Sequence, residues 1–134
     1  MKGTAAICAC ALAVALALAG PASAQNLDNF KCYKAKDLKM PKFTAQTAAL
    51  EDQFGVNDGN FVAKKPFLFC NPASLDGGGI TNSVDHLTCY KIKGPKLDKS
   101  QRPNVQVANQ LGTTKLQAKK PFLLCLPSTK TVIP

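Results

Sequence analysis

The stretch Ala63-Lys64-Lys65-Pro66-Phe67-Leu68-Phe69-Cys70 returns almost unchanged as Ala118-Lys119-Lys120-Pro121-Phe122-Leu123-Leu124-Cys125. Two further matches precede it in order. Cys32-Tyr33-Lys34-Ala35-Lys36 aligns with Cys89-Tyr90-Lys91-Ile92-Lys93, and Asp52-Gln53-Phe54-Gly55 aligns with Asn109-Gln110-Leu111-Gly112 in the same register. Motifs that recur in the same order at nearly the same spacing mark a tandem duplication, in which each copy is one supersecondary unit. After the glycine the first copy carries two extra residues, confined to the stretch from Val56 to Asn60. A hairpin tip tolerates such a length change, and Asn-Asp-Gly-Asn is turn chemistry.

Each copy reads as three strands. The first is Phe30 to Lys36, and in the second copy Leu87 to Lys93. The next runs about Thr47 to Phe54, and Asn104 to Leu111. Here the residues alternate, with Val105, Val107 and Leu111 on one face, matched by Ala48, Leu50 and Phe54. Asp52 and Asn109 fall just before a glycine, where a short Asx side chain bonds the backbone of a turn. The last strand is Phe61 to Cys70, and Leu116 to Cys125. Pro66 and Pro121 lack an N–H, so they belong at an edge or a bulge. The following Phe-Leu-Phe and Phe-Leu-Leu do not alternate, which reads as burial on both faces.

No long helical period is present. The expected fold is all-β: a small sandwich or partly closed barrel, formed by two three-stranded repeats about a pseudo-two-fold axis and stapled by disulfides. One unit is too small to hold a core alone. The expected layout is residues 1–24 as a signal peptide, 25–74 as the first repeat, 75–84 as a glycine-rich linker around Gly77-Gly78-Gly79, and 85–134 as the second repeat. The two repeats would share one core.

Met1 to Ala24 has the form of a secretory leader: Lys2, an uncharged run from Ile7 to Ala19, and a small-residue cleavage signal before Gln25. Cys8 and Cys10 read as small apolar residues of that run. The apolar run is too short to span a membrane, and no second one follows. The mature chain is therefore expected to be secreted, periplasmic or extracellular, with no transmembrane segment.

Six cysteines less the two in the leader leave Cys32, Cys70, Cys89 and Cys125. An even number in a small exported domain favours disulfides. Three pairings are possible. The preferred one is Cys32–Cys70 with Cys89–Cys125, one bridge within each unit, and repeat symmetry is compatible with all three. Cys32 opens a strand and Cys70 closes another, and a bridge needs their Cα atoms close. The first strand must then run antiparallel beside the third, with Asp37 to Gln46 as a crossover. That register puts Lys36 opposite Pro66 and Lys93 opposite Pro121. Zinc is the competing use of these cysteines, but there is no Cys-x-x-Cys pair, and His86 is the single histidine.

Cations outnumber acids by 17 to 8 over the whole chain, and removing the leader takes away only Lys2. Such an excess suits polyanionic partners. The duplication creates two equivalent clusters: Lys34, Lys36, Lys64 and Lys65 with Tyr33, and Lys91, Lys93, Lys119 and Lys120 with Tyr90. Lysines along adjacent strands meet an extended polyanion, and a tyrosine stacks on a sugar or base. The plainer explanation is that lysines guard a strand edge against aggregation. Arg102 is the single arginine. Bidentate base readout relies on arginine, so sequence-specific nucleic-acid binding is not expected.

No catalytic residue is assigned. Ser83, Asp85 and His86 are triad residue types, but they crowd into one loop without a nucleophile elbow. Asn57-Asp58-Gly59-Asn60 lacks the spaced ligands of a calcium loop, and Gly77-Gly78-Gly79 has no strand–helix context for phosphate. No metal site and no cofactor motif is present.

The motifs Cys32 to Lys36, Asp52 to Gly55, Lys64 to Pro72 and His86 to Lys93, with Asn109 to Gly112 and Lys119 to Pro127 in the second copy, resemble a group of secreted bacterial proteins classed as a domain of unknown function, often in tandem copies. The resemblance implies an exported bacterial β-domain and carries over no functional residues. The expected function is a non-enzymatic secreted module that binds anionic polysaccharide or the cell-envelope surface. The alternatives are a structural or adhesive protein-interaction module, and a small secreted inhibitor presenting Asn71 to Val84. Nothing in the sequence fixes an oligomeric state.

Overall fold

The computed structural model describes residues 27–55 and 58–134. The expected leader with its cleavage point, Cys8 and Cys10, and Val56 and Asn57 of the expected hairpin tip lie outside the described residues. Among the described residues the elements are seven strands and one 3-10 turn, Lys99–Gln101.

The strands are β1 (Asn29–Lys34), β2 (Gln46–Leu50), β3 (Gly59–Ala73), β4 (His86–Lys93), β5 (Asn104–Asn109), β6 (Gly112–Gln117) and β7 (Leu123–Ser128). They form a five-stranded sheet in the order β1-β3-β4-β7, with β2 also on β3, and a two-stranded sheet β5-β6. β3 is long enough to hold β1 along Leu68 to Ala73 and β2 along Gly59 to Ala63. All pairs are antiparallel.

The duplication is visible in the registers. Cys32 pairs with Cys70 as Cys89 pairs with Cys125. Thr47 pairs with Val62 as Asn104 pairs with Gln117. The disulfides are Cys32–Cys70 and Cys89–Cys125, each joining directly opposed residues. The crossover between β1 and β2 is present, as the bridge geometry requires.

The order departs from the expected two-fold form. A two-fold axis through the sheet would exchange β3 with β4. Here β1 is equivalent to β4, and the end of β3 is equivalent to β7. One copy therefore follows the other by a step of two strands across the sheet, in the same direction. The second copy is also divided differently. Its expected single strand from Leu116 to Cys125 is two strands, with Ala118 to Phe122 between them in neither.

Local chemistry sets the ends. Phe54 N–H donates to Asp52 Oδ1 at 2.8 Å, and Leu111 N–H donates to Asn109 Oδ1 at 2.9 Å. These matched Asx turns end β2 and β5 and leave Leu111 at a hairpin tip, 86% exposed, instead of on the apolar face with Val105 and Val107. Pro66 sits where the β3–β4 ladder shifts register between Pro66 and Leu68. A residue without an N–H fits such an irregularity.

Residues opposed across a ladder share a face, and alternate residues on a strand share a face. Cys70 and Leu68 on β3, Cys89 and Leu87 on β4, Cys32 on β1 and Cys125 on β7 therefore lie on one face. Both disulfides cross the sheet on that side. The other face carries Phe61, Ala63 and Ile92, and also Phe69 and His86, whose rings stack with centroids 5.6 Å apart. The crossover lies against Tyr90, which is on this second face: Phe43 packs on Tyr90 at 5.1 Å. The crossover is held by Asp37, whose carboxylate accepts the N–H of Lys39 at 2.8 Å and of Phe43 at 3.0 Å. Phe61, Cys70 and Cys89 are the buried hydrophobic residues among those described.

The linker is tied down. Gly79 N–H donates to Ser74 Oγ, and Gly78 N–H to the Leu75 carbonyl. Asp28, just before β1, accepts the N–H of Thr81 at 2.7 Å and of Asn82 at 2.6 Å. The glycine-rich connection is folded back onto the residue that precedes β1.

Candidate functional site: a lysine-bearing sheet face

The lysines reach one place by alternation along their strands. Lys91 and Lys93 follow Cys89 on β4 at every second residue, so they share the disulfide face. Lys65 on β3 stands directly opposite Lys91, and Lys34 on β1 shares that face through Cys32. Lys34, Lys65 and Lys93 are exposed, and Lys91 is half-buried. Lys91 Nζ lies 4.2 Å from the centroid of the Phe67 ring, a cation–π contact that fixes the head of that chain. Among the described residues no carboxylate forms an ion pair with these lysines. Like charges directly opposite across a ladder destabilise it, so this face carries an unneutralised charge.

The remaining residues of the two expected clusters are placed differently. Lys64 falls where the β3–β4 ladder shifts register, between Ala63 and Lys65. Lys36 lies past the end of β1, beyond the bond from Ala35 N–H to the Phe67 carbonyl. Lys119 and Lys120 are exposed in the break between β6 and β7. The two clusters are therefore not equivalent, because Lys64 and Lys65 stand on the continuous strand β3 while Lys119 and Lys120 lie in a connection. Tyr33 and Tyr90 follow a cysteine by one residue, and so project from the face opposite to the lysine row. Tyr33 is 46% exposed, and Lys31 Nζ lies 5.6 Å from its ring. Tyr90 is half-buried under Phe43.

A groove of about 220 Å³ lies on the opposite side of the sheet, floored by Leu50, Phe61, Ile92 and Leu124 and rimmed by Glu51, Asp52 and Asp58. Its sign is the reverse of the lysine face. Asp58 Oδ1 accepts the Asp52 N–H at 3.2 Å, which ties two of these acids into the hairpin base. Among the described residues, no three His, Cys, Asp or Glu side chains are grouped to hold a metal ion.

Ser83, Asp85 and His86 do not form a relay. Asp85 accepts a bond from the Asn82 side chain at 2.7 Å, and Asn82 Oδ1 accepts the N–H of Val84 and of Asp85. His86 is 5% exposed and stacked on Phe69, with Nδ1 lacking a partner among the described residues. Asp28 is held below the ordinary aspartate range by the bonds from Thr81 and Asn82, and Asp37 by those from Phe43 and Lys39.

Among the described residues, no helix is long and apolar enough to cross a membrane. A scan against family models, a search of curated proteins and a search of solved structures each return no match to this chain.

Proposed function

We propose that this chain is an exported, non-enzymatic, disulfide-stabilised β-module that binds an acidic polymer, an acidic polysaccharide or the anionic surface of a cell envelope, on the lysine-bearing face of its larger sheet. The observation that carries the reading is Lys65 directly opposite Lys91, with Lys34 and Lys93 on the same face and no ion-pairing carboxylate among the described residues. Holding like charges together on one rigid face costs stability. An extended polyanion laid across the strands recovers that cost by supplying the missing counter-charge. The export half of the reading rests on the leader-like start and on two disulfides, which persist in oxidising compartments.

The test is retention of the oxidised chain on an immobilised acidic polysaccharide, with a neutral polysaccharide as control. Retention on the acidic matrix at low salt is expected, with release at high salt, because exposed charges are screened. The combined substitution Lys65→Gln, Lys91→Gln and Lys93→Gln is expected to abolish it, whereas Lys119→Gln with Lys120→Gln removes less. Equal retention of the parent and the triple variant would sink the proposal.

A further inference from the structure

Among the described residues, no further strand pairs with either end of the larger sheet. One end is the outer side of β1, and the other is the outer side of β7. They are related by the duplication. β4 is the second copy's version of β1, and β7 is its version of the end of β3. The β3–β4 ladder is therefore a seam at which one copy's closing strand takes up the next copy's opening strand. Among the described residues, β7 presents that closing strand again without a strand on its outer side, and β1 presents the opening strand likewise.

We propose that β7 of one chain takes β1 of a second copy of this chain, in the antiparallel register of the β3–β4 seam, so that the protein associates head to tail. The register follows residue by residue from the internal one. Cys125 stands opposite Phe30 of the second copy, as Cys70 stands opposite Leu87. Leu123 stands opposite Cys32, Pro121 opposite Tyr33, and Lys120 opposite Lys34, as Leu68, Pro66 and Lys65 stand opposite Cys89, Tyr90 and Lys91.

The backbone is set for this pairing. Cys32 and Cys70 have Cα atoms 3.9 Å apart, as do Cys89 and Cys125. Such close opposed residues are the pairs that exchange no hydrogen bonds with each other. The N–H groups of Cys32 and Lys34 thus point away from β3, and those of Leu123 and Cys125 away from β4. These are edge donors without a strand partner, the template for strand addition. The prolines do not block it. Pro66 already lies inside the β3–β4 ladder opposite Tyr90, so its equivalent Pro121 is compatible with the same pairing. Pro127 corresponds to Pro72, which lies beyond the last pair of that ladder.

Side chains covered at the seam are more exposed at the ends, although Phe122 keeps an edge-on contact with Phe67 at 5.8 Å between centroids. Phe67 is half-buried with Lys91 above it, whereas its equivalent Phe122 is 50% exposed. The lysine equivalent to Lys91 is Lys34, exposed at the other end of the molecule. Joining the ends puts Lys34 of the second copy over Phe122. Tyr90 is half-buried at the seam, and its equivalent Tyr33 is 46% exposed at the free end. One feature weakens the contact between chains relative to the internal seam: Ser100 stands where the first copy has Phe43, so Tyr33 of the second copy gains no aromatic cover. A head-to-tail dimer leaves one edge of each kind unpaired, so the association extends beyond a dimer into a ring or an open chain.

Charge gives the association a signature opposite to polymer binding. Lys120 meets Lys34 of the second copy, and two cationic chains approach, so added salt promotes association. Sedimentation velocity of the oxidised chain, across a wide concentration range at low and high salt, is the experiment. Mass is expected to rise with concentration past the dimer, and further with salt. Lys34→Pro removes an outward N–H without touching the bonds from β1 to β3, and Phe122→Lys sets a lysine against Lys34. Each variant alone is expected to need at least ~10-fold higher concentration to associate. Mixed, they give a one-to-one dimer and nothing larger, since each retains the edge the other lacks. Tyr33→Ala, which leaves the backbone alone, weakens association in the same direction. Melting curves and disulfide maps confirm that the variants are folded. A parent chain monomeric at every concentration and salt, a closed dimer indifferent to both variants, or a mixture without the one-to-one species overturns the proposal.

Discussion

The Phe61 ring on β3 packs against Gly94, the residue that follows β4. A Cβ at position 94 would collide with the Phe61 ring. The aromatic ring, 3% exposed, occupies the space that any other residue at 94 needs for its side chain.

Gly94→Ala should therefore destabilise the fold by overpacking, by about 1–3 kcal/mol. In a Phe61→Leu background the penalty should shrink, because the ring that clashes is gone. A double-mutant cycle by urea denaturation, with both disulfides intact, checks this coupling. Additive effects would show that the two residues do not interfere.

Reduction should unfold the chain. The buried hydrophobic residues described are Phe61 and two half-cystines, Cys70 and Cys89, so apolar burial alone is thin. The bridges span sequence separations of 38 and 36. The chain-entropy model assigns about 4 kcal/mol to each such loop. Loss of the β-type circular dichroism signal on adding reductant is the expected result. Peptide mapping should recover Cys32 with Cys70 and Cys89 with Cys125.

Asp28 should make the linker acid-sensitive. Its carboxyl titrates below the ordinary aspartate range because the charged form accepts the N–H of Thr81 and Asn82. A depressed folded-state pKa contributes stability that is complete above about pH 4 and fades as pH falls below it. Proteolysis between Leu75 and Asn82 should quicken in that acid range. Asp28→Ala should give the faster cutting already at neutral pH, and in that variant the acid-induced increase should be smaller.

Lys65→Gln should stabilise the fold while weakening polymer retention. Removing one of two directly opposed lysines relieves repulsion worth about 0.2–1 kcal/mol. Lys91→Gln should gain less, because Lys91 also rests on Phe67. Urea midpoints of the two variants at low salt separate the cases. A loss of stability in Lys65→Gln would show that its aliphatic stem matters more than its charge.

Much of the local architecture was legible in the sequence because it is written in covalent or short-range terms. The duplication and the Asx turns at Asp52 and Asn109 follow from residue types at fixed spacing; the spacing left three cysteine pairings open, and the structure has the preferred one, with the crossover it demands. What the sequence could not express is which strand lies beside which. Ala63 to Phe67 and Ala118 to Phe122 are the same five residues, yet the first run is continuous strand and the second is a break. The difference is their neighbours: β2 and β4 hold the first through Gln46, Ile92, Lys91 and Tyr90, and among the described residues no ladder runs along the second. The same cause decides the step of two strands in place of a two-fold axis, and the face on which each side chain stands. Tyr33 and Lys34 are adjacent in sequence but lie on opposite faces of the sheet. The linker shows the limit most plainly, since Gly77-Gly78-Gly79 reads as slack until Asp28, a residue 53 positions before Thr81, closes on it. Local chemistry sets what each segment is able to form, and the pairing of distant strands selects among those forms.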